Sequence, residues 1–148
     1  MTQDLIKLFE RDLNKLIDEI KSYKDEKQIW LIKGEIKNSS GNLCLHLIGN
    51  LNHFIGAVLG KSNYLRNRNE EFSKKDVSVS ELVKEIEKVK KMIDHSLKNI
   101  KDKDLDALYP IDVTGTPMTT RNFLLHLYGH LNYHLGQINY HRRLIHID

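Results

Sequence analysis

The sequence predicts an all-α fold, a four-helix bundle with one long crossover connection, on three observations. Four stretches of about 20 residues each repeat apolar side chains every three or four positions with charges between them. The segments joining them are polar, and one of these is long. Only two prolines and a 7% aromatic content accompany this pattern, a composition that favours helices over many short strands. With no Pro/Gly/Ser-rich break, residues 1–148 read as a single domain large enough to bury a substantial core.

The first helix is predicted from Gln3 to about Lys24, with Leu5, Phe9, Leu13, Leu16, Ile17 and Ile20 on its apolar face. Glu10, Arg11, Lys15, Asp18, Glu19 and Lys21 form a solvated face, on which Lys15 and Glu19 are spaced to pair. A turn follows, dropping Trp30 as an aromatic anchor onto the helices. Ser39 or Ser40 caps a second helix that runs to about Leu59 through Leu43, Leu47, Leu51, Phe54, Ile55 and Val58. The polar stretch after Gly60 is long enough to be a crossover or a functional loop, and Arg66, Arg68, Glu70 and Glu71 within it form a candidate charge network. Ser78 with Glu81 makes a capping box for a third helix to about Ile100, in which His95 is an isolated surface residue. Tyr109-Pro110, Gly115 and Pro117 punctuate an extended linker. Thr119 or Thr120 then caps a last helix ending near Arg143.

Composition excludes several classes. Twenty-three basic and 20 acidic residues are interspersed for a net charge of +3, so no polybasic face calls for nucleic acid. Arg142 and Arg143 fit a helix C-terminal charge pattern better than a phosphate site. Cys44, the only cysteine, rules out an intramolecular disulfide and is expected as a small core residue in a reducing compartment. The opening MTQDLIKLFERDL mixes charges into its helical pattern, unlike a signal peptide, and no run reaches the roughly 20 apolar residues of a membrane span. The expected location is the cytoplasm.

Chemistry concentrates in the histidines. His126, His130 and His134 recur every four residues, so on a helix they form one stripe that Gln137 and His141 extend. On the second helix, His46, Asn50 and His53 interrupt an apolar face in the same way. An i, i+4 pair supplies only two ligands, so a metal site needs another element. If the second and last helices are neighbours, His46 meets His130 and His134 and leaves open coordination positions. Spacing alone leaves the pair His126 and His130 as an alternative, and it equally allows Asn50 and His53 to face water.

His46 within LCLHLIGN, His130-x-x-x-His134 and the following Gly136-Gln137, together with HLIGNLNHFIG and RNRNEEF, resemble the DinB-like superfamily of four-helix bundles (DinB/YfiT-like), in an uncharacterised bacterial branch. The resemblance covers essentially the whole chain. It implies a divalent metal ion, zinc or nickel, held by His46, His130 and His134, and a homodimer. Carried over in this way, it leaves His126, Asn50, His53 and Gln137 as residues that line the cavity or orient the ligands. Relatives include metal-dependent transferases that join low-molecular-weight thiols to electrophiles. The implied function is therefore metal-dependent transfer of such a thiol to an electrophilic small molecule, with neither nucleic acid nor membrane as partner. The alternative is a metal-binding or stress-associated bundle protein without turnover. Cys44 is expected to be buried rather than nucleophilic, and no general base stands out besides the histidines.

Overall fold

The fourfold apolar periodicity becomes four long helices in the computed structural model, which describes residues 1–146. In chain order the elements are α1 (Thr2–Lys21), a 3-10 turn (Glu26–Trp30), α2 (Ser40–Leu51) continuing as a π-helix (Asn52–Leu59), α3 (Arg68–Ser73), α4 (Val79–Lys98), α5 (Asp102–Asp106) and α6 (Thr120–Ile145). Every element among the described residues is helical, and the one β-like pairing is an isolated antiparallel bridge between Leu108 and Thr119. The starts of α2, α4 and α6 follow from side-chain caps: Ser39, Ser78 and Thr119 each accept the backbone N–H three residues on, at 3.2 Å.

α1 packs against α4 and α6, and α2 with its π-helical continuation packs against the same two. Phe9, Leu13, Leu16 and Ile20 of α1 meet Leu47, Leu51 and Ile55, Leu82, Ile86 and Ile93, and Phe123 and Leu131 in one hydrophobic cluster. Each of these fully buried side chains stabilises the fold by about 1.5–3 kcal/mol relative to exposure. His46 meets His130 while Phe54 meets Phe123, so α2 and α6 run antiparallel. Trp30 anchors the first connection: its ring lies over Gly41, where a Cβ would fall 2.5 Å from ring carbons. The segment between α2 and α4 returns along α2, pinned by Asn42, whose Nδ2 donates to the carbonyls of Glu71 (3.0 Å) and Lys74 (2.9 Å).

Several expectations change. α1 stops at Lys21, where Ser22 N–H turns back to the Glu19 carbonyl, and α6 continues to Ile145. The second helix reaches Leu59 but widens to π geometry after Leu51, with Gly60 N–H on the Ile55 carbonyl at 2.8 Å. Two polar connections contain the short helices α3 and α5, whose lengths of six and five residues are too short to show a period. Lys15 pairs with Asp12 at 3.2 Å, and Glu19 accepts from Arg142 at 2.6 Å, so the expected Lys15–Glu19 pair gives way to partners that are partly or fully buried. Ser40–Leu59 is, by length and composition, apolar enough to cross a membrane, although His46, Asn50 and His53 break any continuous apolar run; most of it is buried inside the molecule. Cys44 is fully buried and burial pushes its thiol up to about 12, the behaviour of a core residue.

Candidate metal centre

α2 presents His46 inward, one turn before Asn50, and α6 presents His130 and His134 on the side that faces it. His46 is buried at 6% exposure, while His130 and His134 are half-buried. His130 Nε2 lies 3.1 Å from His46 Nε2 and 3.1 Å from His134 Nε2. One ligand nitrogen from each ring lies within 4.8 Å of the other two. Two nitrogens bound to one zinc ion at its usual bond lengths, with octahedral to tetrahedral angles, stand about 2.9–3.4 Å apart. The two short separations fall in that interval, so the residues present fit a divalent ion.

The outward nitrogens explain why the inward ones carry lone pairs. His46 Nδ1–H donates to Glu71 Oε1 at 3.0 Å, and His134 Nδ1–H donates to Gln137 Oε1 at 2.7 Å. A neutral imidazole carries one N–H, which leaves Nε2 of both rings as acceptors. His130 has one proton to share between two inward lone pairs, and its Nδ1 is buried without a hydrogen-bond partner. Burial, then the neighbouring His134, His46, His126 and Arg66, lowers the His130 pKa to about 4. Burial also lowers that of His134. Both rings are therefore neutral at neutral pH, the state in which imidazole binds a metal.

The structure brings together His46, His130 and His134 and leaves His126 outside the cluster, exposed and stacked on Phe123 with 5.7 Å between ring centroids. Gln137 touches the site through His134. Asn50 is buried at 6% exposure, and its Oδ1 has no hydrogen-bond partner. His53 is half-buried against Phe54 with a pKa lowered by burial and by Arg66. His141, which extends the histidine stripe in the sequence, is 3% exposed and lies apart from the cluster, with its nitrogens 2.6 Å from the Tyr23 hydroxyl and 2.8 Å from the Leu31 carbonyl.

Two residues of the site escaped the histidine spacing. Glu71 and Arg66 come from the connection between α2 and α4, and the charge network expected there is the Arg66–Glu71 pair. Arg66 donates through Nε and Nη2 to the two Glu71 oxygens, both at 2.8 Å, while Arg68 lies over the Phe72 ring. Burial pushes the Glu71 carboxyl pKa up, but the hydrogen bonds from Arg66 and His46 outweigh it and hold the group ionised below its ordinary value. The sequence did carry one signal: Gly49 on α2, where a Cβ would overlap the Glu71 carboxylate.

A cavity of about 530 Å³ adjoins the cluster, lined by Ile36, Lys37, Leu43, Tyr133 and Tyr140 among others. It reaches His134 and Gln137 without lining His46 or His130.

A family model described as a protein of unknown function, DUF1572, matches residues 2–148. No curated protein matches the chain.

Proposed function

The chain belongs to the DUF1572 family of proteins of unknown function, and from that premise we propose that it is a divalent-metal-dependent enzyme built, as one domain, on a DinB-like four-helix bundle. The observation that carries the reading is the pair of 3.1 Å Nε2 separations among His46, His130 and His134. Three imidazoles leave open coordination positions, the pattern of catalytic rather than structural metal sites. Zinc or nickel suits an all-imidazole donor set. The bundle reading rests on the four long helices, on the return of segment 61–78 along α2, and on the resemblance carried by LCLHLIGN and the His130, His134, Gln137 run.

The proposed reaction joins a low-molecular-weight thiol to an electrophilic small molecule. The thiol releases its proton to water, a sulfur–carbon bond forms, and the bond from that carbon to its leaving group breaks with the electron pair on the leaving group. A divalent cation held here supplies Lewis acidity, which favours the deprotonated form of a thiol or water. His46, His130 and His134 would hold it, Gln137 orients His134, and Asn50 and His53 follow His46 by one and two turns along the same helix and its continuation. The cavity at His134 and Gln137 is of a size for a small molecule. The exposed Tyr133, Tyr140 and Leu144 support a homodimer, and a single buried cysteine supports a cytoplasmic setting. A second reading, metal binding without turnover, is favoured by the same cavity's contact with the cluster at His134 alone.

A thiol panel with monochlorobimane as electrophile, on protein prepared without a histidine tag, tests the proposal. Turnover is expected to require added zinc or nickel and to vanish in His46→Ala. Stoichiometric metal without turnover across the panel favours the second reading, and absence of stoichiometric metal in the wild type removes both.

A further inference from the structure

Glu71 is a carboxylate residue placed by four hydrogen bonds from three residues. It lies on α3 at 6% exposure, its backbone carbonyl accepts from Asn42 Nδ2, and its side chain takes Arg66 on both oxygens and His46 on one. α2 leaves room for it at Gly49, one turn from His46 on the same helix. An ion pair serving only to tether α3 needs no imidazole at its centre. Here the carboxylate receives the His46 nitrogen that points away from the cluster, while the opposite nitrogen is the one 3.1 Å from His130.

We infer that Glu71 is a positioning residue for the metal centre: it fixes the tautomer and ring orientation of His46 so that Nε2 offers its lone pair to the ion, and Arg66 clamps it in place. Carboxylate or carbonyl partners on the far nitrogen of a ligating histidine raise its basicity and hold its plane. The inference rests on the metal-binding reading and adds a consequence to it. Because coupling between two equilibria is reciprocal, an ion held by His46 also holds α3 against α2. The connection between α2 and α4 is thus part of the site and not merely a route between helices.

Zinc affinity, measured on the full chain by competition with a chromophoric chelator, tests this. Glu71→Gln, which keeps the shape and removes the charge, is expected to weaken zinc by about 10- to 100-fold. Arg66→Met is expected to weaken it less, and His141→Gln to leave it unchanged. A readout that a tethering role would not move is the His46 tautomer in nitrogen-15 spectra of the wild type, where the proton belongs on Nδ1. That measurement needs no variant to fold. Equal zinc affinity in wild type and Glu71→Gln, or an Nε2–H tautomer at His46, overturns the role of Glu71 alone. Failure of the wild type to bind zinc overturns the metal reading itself.

Discussion

His130 and His141 lie on the same helix, about three turns apart, and their surroundings are opposites. His141 has a partner on each ring nitrogen, Tyr23 hydroxyl and Leu31 carbonyl, and Ser40 Oγ completes the chain at 2.6 Å from that hydroxyl. Asp12 is a second closed centre: a carboxylate with no exposure that accepts from Arg11, Lys15 and the Tyr128 hydroxyl. His130 instead faces two nitrogens that are themselves acceptors and has an unpartnered Nδ1 behind it. Buried polar groups in a fold are normally satisfied, because an unmet one costs about 1–3 kcal/mol. The difference is that the three imidazoles of the α2–α6 centre face one another with hydrogen-bonding capacity that no other side chain meets, which is what the metal site proposed for them requires.

The largest effect is expected at a closed centre. Asp12→Ala should cost about 3 kcal/mol in denaturant unfolding, the low end for a broken buried pair because Arg11 and Lys15 are 54% and 56% exposed and rehydrate. Burial opposes ionisation of Asp12, yet the bonds from Arg11, Tyr128 and Lys15 hold its carboxyl well below the ordinary range. Its contribution is therefore complete above the unfolded pKa of about 4 and is lost as pH falls below that value, so Asp12→Asn should flatten the acid limb of stability.

The next effect belongs to the open centre. Zinc at 100 times its dissociation constant should stabilise the wild type by about 2.7 kcal/mol, seen as a raised thermal midpoint, and should leave His130→Leu unmoved. Without metal the order reverses. His141→Leu strands the Leu31 carbonyl and should cost about 1–3 kcal/mol, whereas His130→Leu removes an orphaned nitrogen while leaving the Nε2 lone pairs of His46 and His134 without their shared partner, and should cost less. Equal costs at the two positions would break the comparison.

The smallest effect is a slope. The His130 pKa is lowered from 6.5 to about 4, so between those values the unfolded chain binds more protons than the folded one. Stability of the metal-free protein should then fall as pH drops from 6.5 towards 4, and His130→Leu should reduce that slope.

What was legible in the sequence follows the range of each interaction. α1, α4 and α6 repeat their apolar pattern over 20 residues or more, and so their existence and most of their caps could be read directly. α3, α5 and the 3-10 turn are too short to show a period, and π geometry after Leu51 keeps the same apolar residues that an α-helix would use. His46, His130 and His134 were legible as helical stripes, but the choice between His126 and His134 depends on which way α6 is turned against α2, and no local spacing encodes that. Asp12 carries no signal of its own in the sequence, and its burial follows only from Tyr128 and Arg11 closing over it. Glu71 is 25 residues from His46, and its role exists only once segment 61–78 folds back along α2.

The most direct test is anomalous diffraction at the zinc edge from crystals of the untagged protein grown with zinc. A single strong peak is expected between α2 and α6, at bonding distance from Nε2 of His46, His130 and His134. A peak ligated by His126 in place of His134, or no ordered peak between these helices at full zinc occupancy of the solution, would contradict the assignment of this cluster as the metal centre.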